Sequence, residues 1–78
     1  MADKLATEII KAVADAEGVG SEDLDYAVGE YIDLDAVEQL AANSTASWTL
    51  SWELPNHNVT VTSDGLILVD GVREQVWV

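Results

Sequence analysis

WTLSWELPNHNVTVTSDGLILVDG, residues 48–71, decides the architecture of this chain. Trp48, Leu50, Trp52 and Leu54 alternate with Thr49, Ser51 and Glu53. Successive side chains of a strand point to opposite faces, so this spacing predicts a strand with one apolar face. Pro55-Asn56-His57 breaks the alternation and predicts the first hairpin loop. Val59 and Val61 then alternate with Thr60 and Thr62, a second strand. Ser63-Asp64-Gly65 is a turn in which Gly65 supplies a positive φ. Residues 66–69 are continuously apolar, which predicts a central strand or one covered on both faces. Asp70-Gly71 is a second hairpin signal and returns residues 72–78 as a final strand.

Upstream of residue 43 the apolar period changes from two to between three and four. Leu5, Ile9, Ala12, Val13 and Ala16 form one stripe, predicting a helix over residues 4–17. Asp3 is placed to cap it and Gly18 to end it in the left-handed conformation. Ser21-Glu22-Asp23 reads as another helix start, with Leu24, Val28 and Ile32 on one face, Ala27 and Tyr31 beside them, and Tyr26 among the chain's few large aromatics. Gly29 weakens any helix there, so a short or broken segment is expected. Asp33 caps a third helical stretch over residues 34–42, with Asn43 as its left-handed terminator. The sum is an α+β domain. N-terminal helices pack on one face of a three- to four-stranded antiparallel meander, because neither layer can hide its apolar side alone. Residues 1–78 are expected to form one domain, with a helical half over 3–43 and a β-meander half over 46–78.

The chain carries 15 acidic residues against three basic ones, a formal net charge of −12 on 78 residues. Charge at that density repels itself in dilute buffer. At about 1 M salt the Debye length falls to ~3 Å and most of the repulsion is screened. The acids are spread along the chain, which is the pattern of a surface adapted to high salt and predicts a halophilic, cytoplasmic protein. Lys4, Lys11 and Arg73 cannot form a basic stripe, so no direct nucleic-acid partner is expected. No run approaches the ~18 apolar residues of a membrane span, and Asp3, Glu8 and Asp15 interrupt any apolar leader. The absence of Cys excludes disulfides and thiolate metal sites.

The run Glu17-Gly18-Val19 after an Ala/Val-rich helix, then Leu24, then Ile32-Asp33-Leu34-Asp35-Ala36-Val37, resembles the halobacterial output domain family. Leu50-Ser51-Trp52 and Val59-Thr60-Val61 with Asp64-Gly65 match its strands and turn. The resemblance covers roughly residues 5–69. It departs at Leu34 and Asp25, where the family commonly has Pro, and in the hairpin loop at residues 55–57. Residues 72–78 read as an addition. The resemblance implies a haloarchaeal source and a role as an output module in signalling. It implies no reaction and no cofactor.

The chemistry-bearing residues point the same way. His57 lacks an identifiable nucleophile or orienting carboxylate in the sequence and reads as an exposed loop residue rather than a general base. Asp23, Asp25, Asp33 and Asp35 lack the Gly and distal Glu of a calcium loop and read as solvated surface, so no metal is expected. Gly18-Val19-Gly20 lacks the strand and third Gly of a dinucleotide fingerprint. Asn43-Ser44-Thr45 and Asn58-Val59-Thr60 match a glycosylation sequon that a cytoplasmic chain does not use. Trp48 and Trp52 read as core. Val76, Trp77 and Val78 form an apolar end that a small domain does not cover, and mark a sheet edge open to a second copy. The expectation is a non-enzymatic protein-interaction module, a homodimer through that edge. The alternative is a ligand sensor holding an apolar or aromatic effector between helix 34–42 and the sheet, against Trp48 or Trp52.

Overall fold

Apolar residues at three- and four-residue steps produce the first helix, α1, Asp3–Glu17. Leu5, Ile9, Ala12 and Val13 lie on its inward stripe and are almost fully buried. Its C-terminus is a Schellman motif. Gly18 takes φ +74, Val19 N–H donates to Ala14 O at 3.0 Å, and Gly18 N–H donates to Asp15 O at 3.1 Å. The computed structural model describes residues 3–24 and 27–77, with the side chains of residues 3 and 4 outside the description. The capping role expected of Asp3, and Asp25, Tyr26 and Val78 altogether, lie outside the described residues.

The segment expected to be a short or broken helix is two 3-10 turns, Ser21–Asp23 and Val28–Glu30. Val28 is buried, while Leu24 and Ile32 pack half-buried against the core. The second α-helix, α2, spans Leu34–Asn43, and Asp33 caps it by accepting from Ala36 N–H at 3.2 Å. Asn43 is not a left-handed terminator. It is the last helical residue, and the chain leaves through Ser44 in an extended conformation. Among the described non-glycine residues only Asp70 has a positive φ.

Four strands follow, β1 Thr49–Leu54, β2 His57–Thr62, β3 Leu66–Val69 and β4 Val72–Val76. They form one antiparallel meander in the order β1-β2-β3-β4. The first hairpin loop is Pro55-Asn56 alone. His57 pairs with Leu54 and opens β2, which overturns its reading as a loop residue. Asp70 and Gly71, at φ 56 and 82, form the type I′ turn whose twist matches the flanking strands. β3 is central but covered on one side only, since Ile67 and Val69 are buried while Leu66 and Leu68 are half-exposed. β4 ends at Val76 rather than running to residue 78, and a bulge opposite Ile67 and Leu68 leaves Glu74 as its extra residue.

Both helices lie on one side of the sheet. Val59, Val61, Ile67 and Val69 meet Ile9 and Val13 there at 0–1% exposure. α1 rests on β3 and β4 and on α2. Two polar contacts fix its ends. Glu38 of α2 is buried, and its carboxylate accepts from Ala6 N–H at 3.2 Å. That amide belongs to the first turn of α1, where the positive end of the helix dipole favours a carboxylate. At the other end Gln75 of β4 donates to Asp15 at 2.8 Å.

Candidate interaction surface

His57 is the chemically richest residue, and the fold occupies it fully. As the first residue of β2 it projects to the same side as Val59, under the C-terminus of α1. Its side chain is 14% exposed. Nδ1 lies 2.7 Å from Asp70 Oδ2 and Nε2 lies 3.3 Å from Glu17 Oε2. The second Asp70 oxygen accepts from Asn58 N–H at 2.9 Å. The His57 hydrogen bond, and after it the Asn58 N–H, hold the Asp70 carboxyl below its ordinary value of 3.8. One imidazole thus bolts together α1, β2 and the β3–β4 turn. Both ring nitrogens face carboxylates, which leaves no lone pair aimed at a substrate.

Asp33 is committed to its cap, and no group of three metal-ligating side chains occurs among the described residues. A shallow, open depression of about 540 Å³ runs along residues 29–35 and is rimmed by Glu30, Asp33 and Asp35.

Trp77 continues the line of β4 and Trp48 precedes β1. They come from opposite edges of the sheet, yet their rings stack with centroids 6.1 Å apart. They meet over the β2–β3 turn. Trp48 exchanges backbone and side-chain hydrogen bonds with Ser63, Trp77 N–H donates to Gly65 O, and Trp77 Nε1 donates to Thr62 O at 3.0 Å. Beside the pair lies a cleft of about 290 Å³ whose rim includes Ala41, Ser44, Ser63 and Asp64. Trp52 sits half-buried on the helix side of edge strand β1, and its indole N–H is buried without a partner. Val76 is 49% exposed and faces away from the helices, opposite Leu66.

That far side of the sheet is the most distinctive surface of the molecule. The pairing register places Thr49, Ser51 and Glu53 of β1 on it, then Asn58, Thr60 and Thr62, then Leu66 and Leu68, then Arg73 and Val76. The Ser51 and Thr60 hydroxyls, 2.9 Å apart, confirm the shared face. No helix covers it. Of the chain's 15 acids only Glu53 holds a register position there, with Glu74 at the bulge on its margin. Arg73 has no carboxylate partner among the described residues. An exposed face so poor in acids, on a domain of net charge −12, separates sharply from the acidic helical side.

Residues 1–71 match the family model described as Halobacterial output domain 1. The chain belongs to the halobacterial output domain family. No curated protein and no solved structure matches it. In this output domain the matched stretch holds both helices and β1–β3, and ends within the type I′ turn. β4, and with it Arg73, Val76 and Trp77, lies beyond the match. No helix among the described residues of the output domain is long and apolar enough to cross a membrane.

Reading the sequence singled out Val76 and Trp77 of the output domain but missed the face that continues from Val76 across all four strands. The signal was present: between residues 44 and 69 the only acids are Glu53 and Asp64. It also missed the bolt formed by Glu17, His57 and Asp70, which joins residues far apart in the chain.

Proposed function

We propose that this output domain acts without catalysis, as a module that binds protein through its sheet, itself included. The acid-poor outer face is the observation that carries the reading. Exposed surface of a salt-adapted chain is otherwise studded with carboxylates, and an interface core is depleted of charge. The sheet's edges add a second handle of the same kind. The register leaves the backbone groups of Thr49, Ser51 and Glu53 pointing outward from β1, open to an added strand. At β4 the bulge and the charges of Arg73 and Glu74 work against strand addition. The single imidazole, engaged at both nitrogens, supports the absence of a reaction.

Light scattering across a concentration series at about 2 M salt, where charge repulsion is screened, tests this. Self-association that Val76→Asp weakens, with far-UV circular dichroism unchanged, is the expected result. A mass that stays at 8.4 kDa throughout removes the self-binding part of the reading.

A ligand-sensor reading has one observation in its favour, the cleft beside Trp48 and Trp77. It lies at the open end of the sheet, past the C-terminus of α2, rather than within the helix–sheet core. Tryptophan fluorescence during a screen of aromatic metabolites tests it, and an unchanged spectrum with every compound sinks it.

A further inference from the structure

We infer that the occupant of the outer sheet face is a second copy of the same chain, stacked face to face. This rests on the protein-binding reading above and names its partner. The outer face is divided down its length. The β1–β2 half carries hydroxyls, with Glu53 at one end. The β3–β4 half carries Leu66, Leu68 and Val76, with Arg73 beside them. A two-fold axis parallel to the strands lays β1 of each copy over β4 of the other. That arrangement sets each Arg73, a cation without a partner among the described residues, toward Glu53 of the partner subunit. Arg73 lies level with Ser51, so the two positions are offset by the step from Ser51 to Glu53, about 7 Å along the strand, and stacked sheets lie ~10 Å apart. The resulting Cα separation of roughly 12 Å is one that an Arg and a Glu side chain together span. An axis perpendicular to the strands instead lays β1 over β1, where each Glu53 faces a strand that holds no cation.

The size of the face sets the strength. Four strands at ~4.8 Å spacing and about 17–20 Å of strand length cover roughly 350 Å² per copy. Doubled, that is about 700 Å², below the ~1,000 Å² of a stable specific interface and in the range of transient contacts. The dimer is therefore weak and concentration-dependent. An exposed rim pair such as Arg73 with Glu53 of the partner subunit sets register more than affinity. Holding two copies close together raises their effective concentration and closes the pair without any new contact. Salt favours it, because it screens the repulsion between two bodies of charge −12.

Sedimentation equilibrium at about 2 M salt, up to about 1 mM chain because so small an interface binds weakly, tests the proposal. Leu68→Asp is expected to weaken the dimer at least tenfold. Arg73→Glu and Glu53→Arg are each expected to weaken it several-fold, and the double swap to restore it. If Leu68→Asp fails to fold, Thr60→Asp places the same charge at the neighbouring position. A dimer that both charged variants leave intact, with amide exchange slowed at Thr49, Ser51 and Glu53, overturns face stacking while keeping strand addition and the interaction reading. A chain monomeric throughout overturns the second copy as occupant. So does a different protein that binds the wild-type face and is lost with Leu68→Asp.

Discussion

Trp48 and Trp77 stack 6.1 Å apart with ring planes 23° from parallel, although they extend the two opposite edge strands of the sheet. The rings reach toward each other over the β2–β3 turn, where Gly65 is buried beneath them. The stack therefore clamps both edges at the end of the sheet that the helices leave open, and Trp77 Nε1 adds a hydrogen bond to Thr62 O.

Trp77→Ala is expected to cost about 2–3 kcal/mol, below the range for a fully buried aromatic because the ring is half-exposed. The near-ultraviolet circular dichroism of the coupled indoles should collapse in the same variant. A denaturation midpoint unchanged at about 2 M salt would contradict the clamp.

Asp70 makes acid stability a property of one turn. Its folded carboxyl is held below 3.8 by His57 and Asn58, so its contribution is fully present above that value. It is lost as pH falls through the lower folded value, where the carboxyl protonates. Asp70→Asn should be less stable than the parent near neutrality, and the gap should close as pH drops toward about 2. Midpoints measured along that series check the sign. A gap that widens on acidification would refute it.

Glu38 serves α1 from α2. Removing its carboxylate in Glu38→Ala leaves the Ala6 N–H without its acceptor, at an expected cost of about 1–2 kcal/mol. Glu38→Gln keeps an acceptor and should cost less. Equal losses in the two variants would mean that packing, not the hydrogen bond, is what matters there.

Stability should rise with salt. A net charge of −12 repels itself most strongly at low ionic strength, and the thermal midpoint is expected to climb between about 0.1 and 2 M salt. A midpoint that falls over that range would show that stabilising charge contacts outweigh the repulsion.

The strands were legible because a period of two survives in Leu50, Trp52 and Leu54 and in Val59 and Val61, and each turn carries its own chemistry. α1 was legible because Gly18 ends an unbroken stripe. What escaped reading depends on partners distant in sequence. Asn58, beside His57, meets Asp70 12 positions on, Ala6 meets Glu38 across 32, and Asp15 meets Gln75 across 60. Local pattern fixed the face of His57 only once the loop shrank to two residues, since a one-residue slip turns every side chain over. The interaction face was hidden for a different reason. It is defined by the carboxylates that are missing, and absence has no period.

The bond between Asp15 and Gln75 carries a consequence for biosynthesis. α1 leaves the ribosome well before the surfaces it rests on, β3 and β4. Each hairpin can zip from its own turn as it emerges, whereas the helix must wait with its stripe bare until the final strand arrives. Nascent chains stalled before residue 72 would therefore hold an unsatisfied helix, open to chaperones, and the domain would close in one late event rather than growing from its start.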